Sequence, residues 1–174
     1  MVGFIICHYY PQKQYGIISY LAKDKDFKDG EKYVGAKLLG KLKTILTSNS
    51  HRCNLLVFEL QQGTKDRAKS KLFKLYANCL GLQAVELDFA YYRPRLNLNH
   101  TPEEQLILMI VTFDSQGVRY MDKDKAMDIL SFIHFYCYGD IYDKETNEFA
   151  LYHNYLGKRM AHYADSLPNE IKAT

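Results

Sequence analysis

Residues 20–42 of the chain, YLAKDKDFKDGEKYVGAKLLGKL, run from an apolar strand through a charged loop into a helix. This layout can hold a phosphate, because the first N–H groups of a helix lack partners and the helix dipole favours an anion. Gly35 fits such a site, since a residue without a side chain lets the backbone approach a ligand closely. Lys28, Lys32 and Lys37 add positive charge there, although the same three residues also fit a solvated basic face.

Glu59 is the second residue with a chemical use. It is the one acid in the apolar run NLLVFEL at 54–60. Burying a carboxylate is costly unless the group is paired or used, so Glu59 fits a general base. The alternative is an ordinary strand-end residue that faces water. Asp88, in VELDF, is the second choice for the same role.

The bulk composition limits the class of protein. The chain has 174 residues, of which 47% are hydrophobic and 25% charged, and its formal net charge is +3. These values are typical of a globular protein, and the charge is too small to argue for nucleic acid. An aromatic-basic cluster keeps nucleic-acid binding as a distant third reading; its members are Tyr91, Tyr92, Arg93 and Arg95.

Neither targeting nor metal binding is indicated. The N-terminus has no basic region and no run is long enough to cross a bilayer, which predicts a cytoplasmic protein without a membrane partner. Cys7, Cys53, Cys79 and Cys137 are scattered in apolar contexts and predict buried, reduced thiols. His51 and Cys53 alternate on one strand, but two ligands do not make a zinc site.

Periodicity predicts an α/β protein with a mixed parallel and antiparallel sheet. The predicted elements are strands over 2–10, 15–22, 54–60, 83–92 and 105–113, a helix from Val34 to about 48 and a helix capped by Thr64. The first helix is expected to pack through Val34, Leu38, Leu42 and Ile45. The first two strands should form a hairpin, the last two should pair antiparallel, and the units between them should run parallel.

The remainder of the chain is predicted to be helical. Asp122 can cap a helix that Gly139 ends, and its apolar residues are Ala126, Leu130, Ile133 and Cys137. Asn147 can cap another helix that stops before Pro168. Its apolar face comprises Phe149, Tyr152, Leu156, Met160 and Tyr163. These stripes favour packing faces over cofactor boxes, so we expect a core over 1–120 and a packed helical extension over 121–174.

In this order, the segments resemble the C-terminal two-thirds of the GNAT family of N-acetyltransferases. GIISYLAKDKDF followed by VGAKLLGKL is similar to that family's cofactor strand, pyrophosphate loop and helix. VFEL and then KLFKLYANCLGLQAVELDFAYYRPRL are similar to its next strand, next helix and final strand pair. The resemblance implies the GNAT type of sheet, shortened at the N-terminus because the chain begins almost directly on the hairpin, with C-terminal helices added.

The loop departs from the family's pattern, Arg/Gln-x-x-Gly-x-Gly/Ala. One alignment starts at Gly30 and puts Tyr33 where the first glycine belongs, with Gly35 last. A second alignment starts at Lys32, gains Gly35 as the first glycine and puts Lys37 last. Both registers keep the pyrophosphate at the start of the helix, and the resemblance therefore implies cofactor contacts from Lys28, Gly30, Lys32, Tyr33, Val34, Gly35 and Ala36.

The resemblance also implies the chemistry. The pantetheine arm of acetyl-CoA would enter between splayed strands like an added strand, against backbone groups of Tyr20, Leu21 and Ala22. Tyr76, within the similar element Leu75 to Leu82, would protonate the leaving thiolate, although a plain core tyrosine is the alternative. Glu59 would take a proton from the amine. His8 and Tyr10 share one strand face and could line the acceptor side.

The sequence thus predicts a transferase that moves an acetyl group from acetyl-CoA to an amine by direct attack through a tetrahedral intermediate. The alternative is a non-catalytic acyl-CoA-binding or interaction module that keeps the fold. The amine acceptor is not indicated. A sheet that lacks its early strands exposes an edge, which allows a homodimer.

Overall fold

The structure is a computed structural model that describes residues 3–24, 34–48, 52–61, 84–98, 102–113 and 119–173. The chain divides into two compact units. Unit 1 comprises residues 1–87 and 107–118, and unit 2 comprises residues 88–106 and 119–174. Within the described ranges, no helix is long and apolar enough to cross a membrane.

Unit 1 is built on a mixed sheet, as the sequence predicts. Its elements are β1 (Gly3–Tyr10), β2 (Tyr15–Lys23), α1 (Val34–Leu46), β3 (Leu55–Gln61), β4 (Ala84–Glu86) and most of β6 (Glu104–Thr112). The strand order is β1-β2-β3-β6-β4. The predicted β1–β2 hairpin is confirmed as antiparallel, and β2 and β3 are confirmed as parallel neighbours. β4 pairs antiparallel with β6, so the mixed α/β fold class is confirmed.

The core of unit 1 lies between one face of this sheet and α1. Ile18, Leu56 and Phe58 from the strands join Leu39, Leu42 and Leu46 from the helix in one buried cluster. Leu42 was expected on the buried stripe, but the expectation for Ile45 is wrong, since its side chain is 54% exposed. The buried stripe runs through Val34, Leu39, Leu42 and Leu46 instead, which also follows helical spacing.

Unit 2 contains β5 (Tyr91–Arg93), which pairs antiparallel with the first residues of β6. The sequence predicted one strand over 83–92, and this expectation is wrong. Leu87 still bonds to the carbonyl of Leu108, but the N–H of Asp88 donates to the carbonyl of Lys172. The chain thereby leaves the ladder with β6, and Phe89 packs edge-on against Tyr163 before β5 begins.

The C-terminal part of unit 2 is mainly helical. It contains α2 (Lys123–Ser131), a π-helical segment (Phe132–Cys137), a 3-10 turn (Gly139–Ile141) and α3 (Asn147–Ser166). Asp122 is confirmed as the cap of α2, whereas α3 is capped by Thr146 and not by Asn147. The sequence missed two short strands, β7 (Tyr120–Asp122) and β8 (Glu170–Lys172), which pair antiparallel. Each has only three residues, too few for a visible alternation.

The arginines of the aromatic-basic cluster form ion pairs within unit 2. Arg93 pairs with Glu104, and Arg95 and Arg159 both lie within ion-pair distance of Glu103. The guanidinium of Arg159 also lies over the ring of Tyr92, 5.0 Å from its centroid. These carboxylates offset part of the positive charge of the cluster.

Candidate functional site

The parallel ladder between β2 and β3 ends in the middle of both strands. Paired residues run from Tyr15 opposite Leu55 to Ile18 opposite Phe58. β2 then continues to Lys23 along β1, and β3 continues to Gln61. Among the described residues, no pair joins the two strands beyond Ile18 and Phe58. The sheet therefore has an opening at this point, bordered by the end of β2 and the end of β3.

A β-bulge marks the place where β2 leaves β3. Ile6 of β1 lies opposite Tyr20, but the next residue, Cys7, lies opposite Ile18. Ser19 is therefore an extra residue in β2 without a counterpart in β1. A bulge bends its strand and increases the local twist. Since Ser19 directly follows the last residue that pairs with β3, the bulge supplies a physical cause for the opening.

The opening has two sides, which correspond to the two faces of the sheet. Ile18, Leu21, Phe58 and Leu60 all pack in the cluster with α1. Because side chains alternate along a strand, Glu59 lies on the face opposite α1. Tyr20 lies on that same face. Its partner in the ladder is Ile6, and the two neighbours of Ile6 in β1, Ile5 and Cys7, both pack toward α1. The opening thus has an α1 side and a side that carries Tyr20 and Glu59.

The N-terminus of α1 lies beside the end of β2. A Cβ on Gly3 of β1 would come within 2.8 Å of the carbonyl oxygen of Ala22 and 2.9 Å of Cγ1 of Val34. Val34 is buried, whereas Gly35 and Ala36 are partly exposed. The first turn of α1 contains no acidic residue. No carboxylate in that turn competes for the positive end of the helix dipole, so the turn can favour a bound anion.

The structure describes only part of the predicted site. Tyr20 is 63% exposed, Leu21 and Ala22 are half-buried, and all three lie on β2 directly after the bulge. Glu59 is half-buried on β3, one residue beyond the last pair with β2. The predicted residues Lys28, Gly30, Lys32, Tyr33 and Tyr76 lie outside the described residues. The loop register and the role of Tyr76 therefore stay predictions.

Sequence reasoning missed the bulge at Ser19. The segment GIISYLA reads as one regular strand, and a serine within it is an ordinary strand residue. A bulge is defined by the register with a partner strand, which the segment itself does not contain. The polar hydroxyl in an apolar run was the only local signal.

Two thiols lie at the closed end of the β2–β3 ladder. The sulfurs of Cys7 and Cys53 are each 3.5 Å from the place that a Cβ on Gly16 would occupy, and both cysteines are free. Burial, and then the neighbouring Cys53, raises the pKa of Cys7 to about 12, and burial raises the pKa of Cys53 to about 11. Both are protonated at neutral pH, so neither is a nucleophile that could carry an acyl group.

Comparison with known proteins gives one structural relative. No protein-family model matches the chain, and no curated protein matches it. Among solved structures, a GNAT-family protein from Bacteroides thetaiotaomicron, whose assigned activity is that of an acetyltransferase, is similar at 16% sequence identity with a TM-score of 0.53. The match covers 79% of this chain and 66% of that one, so the chain spans slightly less than two thirds of its relative. The chain has the fold of the GNAT acetyltransferases.

Proposed function

We propose that the protein is an N-acetyltransferase that transfers the acetyl group of acetyl-CoA directly to an amine. The observation that carries the proposal is the opening of the sheet between Ser19 and Glu59, beside the N-terminus of α1. An opening between parallel strands leaves backbone groups for an added strand-like ligand, and a helix N-terminus next to it accepts a phosphate. Acetyl-CoA combines both features in one molecule.

The cofactor would bind along β2. The amides of pantetheine would pair with backbone groups of Tyr20, Leu21 and Ala22, which follow the bulge. The pyrophosphate would lie at the first turn of α1, where Gly35 and Ala36 are partly exposed. Lys28 and Lys32 would add positive charge from the preceding loop. Pantetheine is uncharged, so only the pyrophosphate end of the cofactor would be held by positive charge. The thioester at the other end would then point toward the opening.

The reaction would proceed through a tetrahedral intermediate. The amine nitrogen attacks the thioester carbon, the carbon–oxygen double bond opens to an oxyanion, and the carbon–sulfur bond then breaks to give an amide and the CoA thiolate. Glu59 would accept the proton of the amine, and a backbone N–H of β2 would stabilise the oxyanion. Tyr76 would return a proton to the thiolate. Direct attack fits the two protonated thiols, Cys7 and Cys53, since neither can form an acyl-enzyme.

Free thiols also bear on the compartment. Among the described cysteines, Cys7, Cys53 and Cys137 are free. Free thiols persist in reducing compartments, so we place the proposed reaction in the cytoplasm.

Thermal unfolding with acetyl-CoA tests the proposal. Ligand at 100 times its dissociation constant stabilises a protein by about 2.7 kcal/mol, which raises the unfolding temperature by several degrees. Acetyl-pantetheine, which lacks the nucleotide, is the matched control and should give a smaller shift because it makes no contact with α1. No shift at millimolar acetyl-CoA would reject the proposal. A shift without release of CoA in the presence of any amine would favour the non-catalytic acyl-CoA-binding module instead.

A further inference from the structure

Three large apolar side chains are exposed together on the sheet of unit 1. Phe4 is 40% exposed, Ile6 is 41% exposed and Tyr20 is 63% exposed. The rings of Phe4 and Tyr20 are stacked, with centroids 6.4 Å apart and planes 22° from parallel. These three residues are called the aromatic face below. Apolar side chains that cluster on a surface mark a binding site more often than isolated ones do.

The bulge creates the aromatic face. Ile6 and Tyr20 are partners in the β1–β2 ladder and therefore point to the same side of the sheet. Without the bulge, a regular strand through Ile18, Ser19 and Tyr20 would place Tyr20 two residues after Ile18, so that both side chains would point into the core. The bulge instead turns the Tyr20 ring outward, where it meets Phe4. The residue that opens the sheet thus also exposes the ring.

The aromatic face adjoins the opening on the side away from α1. Tyr20 is the residue next to Ser19 on β2, and Glu59 is the first residue of β3 beyond the paired region. Both side chains lie on the face opposite α1, as derived above. A ligand that reached the opening from this side would meet one carboxylate at the opening and a flat apolar surface beside it.

We infer that the aromatic face binds the acceptor, and that the acceptor carries a single amino group on an aromatic or similarly flat apolar body. The inference rests on the acetyltransferase function proposed above. The amine would lie at Glu59 and the apolar body on the rings of Tyr20 and Phe4, because stacked rings favour another flat ring. The three side chains of the aromatic face carry no charge, so they offer no ion pair to the second cation of a polyamine.

A matched pair of amines tests the acceptor. Phenethylamine and ethylamine share the ethylamine group and differ by the phenyl ring. We expect kcat/KM for acetyl transfer to be at least about 10-fold higher for phenethylamine, since a well-placed apolar group discriminates by this order. Spermidine, a flexible polyamine, should be a poorer substrate than phenethylamine. Equal or higher kcat/KM for ethylamine or spermidine would overturn the inference.

Variants of the aromatic face locate the effect. Phe4→Ala and Ile6→Ala should each raise KM for phenethylamine about 10-fold, leave KM for ethylamine within about twofold and leave the acetyl-CoA thermal shift in place, which also shows that the variants fold. Phe4→Tyr keeps the ring and should retain the wild-type KM. Ile45→Ala is the control, since Ile45 is also exposed but lies on α1. An unchanged KM for phenethylamine in both alanine variants would overturn the inference.

The outcomes separate this inference from the proposed function. No acetyl-CoA thermal shift would overturn both. Acetyl transfer without a preference for the ring would overturn only the acceptor assignment. A second copy of the chain is the other candidate to bind the aromatic face, and light scattering tests it by measuring the oligomeric state. A wild-type dimer that becomes a monomer in Tyr20→Glu would assign the aromatic face to self-association and overturn the acceptor assignment.

Discussion

Ile6 lies opposite Tyr20 in the β1–β2 ladder, although Cys7, the next residue, lies opposite Ile18. This one-residue mismatch places Ser19 outside the ladder at the point where β2 ceases to pair with β3. A bulge bends a strand and redirects its side chains. In this protein both effects occur at Ser19. Pairing with β3 ends at Ile18, directly before Ser19, and the ring of Tyr20, directly after it, turns outward.

Deletion of Ser19 is expected to abolish acetyl-CoA binding. Without the extra residue β2 can pair regularly with β1, since Tyr20 would directly follow Ile18 and both residues would keep their partners, Ile6 and Cys7. The strand would then lose the bend that separates it from β3. We expect no thermal shift with acetyl-CoA at a concentration that shifts the wild type. The measurement is thermal unfolding with and without the ligand.

Ser19→Ala is the matched control for this deletion. It removes the hydroxyl but keeps the extra backbone residue, so the bulge should persist and the acetyl-CoA shift should stay within about 1 °C of the wild type, since exposed substitutions change stability by about 0.5 kcal/mol or less. An equal loss of binding in both variants would assign the effect to the hydroxyl and not to the bulge.

Glu59→Gln is expected to lower kcat for acetyl transfer by about 100-fold or more, because a positioned general base contributes on this order. Glutamine has nearly the same shape but cannot take a proton, so the acetyl-CoA dissociation constant should stay within twofold. Steady-state CoA release and equilibrium titration check the two quantities. Tyr76→Phe should likewise spare binding and lower kcat if the hydroxyl protonates the thiolate.

Asp88→Asn serves as the control for Glu59→Gln. Asp88 is the second candidate for the general base, and its side chain is exposed. We expect its kcat to match the wild type. If Asp88→Asn lowers kcat and Glu59→Gln does not, the proton acceptor is Asp88 and our assignment is wrong.

Gly3→Ala is expected to weaken both folding and acetyl-CoA binding. The new Cβ would lie 2.8 Å from the backbone oxygen of Ala22 and 2.9 Å from Val34, so either β2 or the first turn of α1 must move. Overpacking of this kind costs about 1–3 kcal/mol. Urea unfolding measures the loss, and titration with acetyl-CoA measures the displacement of the helix N-terminus.

Gly40→Ala, inside α1, is expected to stabilise the protein. A Cβ on Gly40 meets nothing within 4 Å, and Gly40 is inside α1. Alanine favours a helix over glycine by about 1 kcal/mol, so this variant should be more stable than the wild type by about that amount and should bind acetyl-CoA normally. If Gly40→Ala lowered the free energy of unfolding, the open space around Gly40 would be contradicted.

The stability of the protein is expected to fall as the pH drops below 6.5, because of His134. The Nδ1 atom of this fully buried residue lies 2.9 Å from the carbonyl oxygen of Leu130, to which it donates. The Nε2 atom is buried and has no hydrogen-bond partner among the described residues, and the imidazole ring lies edge-on to the rings of Tyr91 and Tyr163. Burial chiefly, and the charge of Arg159 in addition, lowers the pKa of His134 from 6.5 to about 4.

The sign follows from proton binding by the two states. Between pH 6.5 and about 4 the unfolded chain binds a proton at His134 that the folded protein does not, so the free energy of unfolding decreases as the pH falls. The loss from this residue reaches about 3 kcal/mol and is complete below pH 4. Urea unfolding at several pH values should show a shallower dependence in His134→Gln.

The elements of unit 1 were largely readable from the sequence, because each one is encoded locally. Alternation in GFIICHYY and YGIISYLAK predicted β1 and β2, and helical spacing from Val34 predicted α1. The candidate base Glu59 was also visible, since an acid in an apolar run needs a reason. The region 83–92 reads as one strand because apolar and aromatic residues recur through it, and only the contacts of Asp88 and Phe89 divide it.

The sequence by itself determined β1, β2, α1 and β3, their order, and the position of Glu59 in the second half of β3. The tertiary structure decided where the sheet opens, which face Tyr20 and Glu59 share, and how close the start of α1 comes to Ala22. The physical reason is that periodicity reports the burial of one segment at a time, whereas a bulge and an opening are relations of register between segments far apart in the chain. No local pattern around Ser19 contains that register.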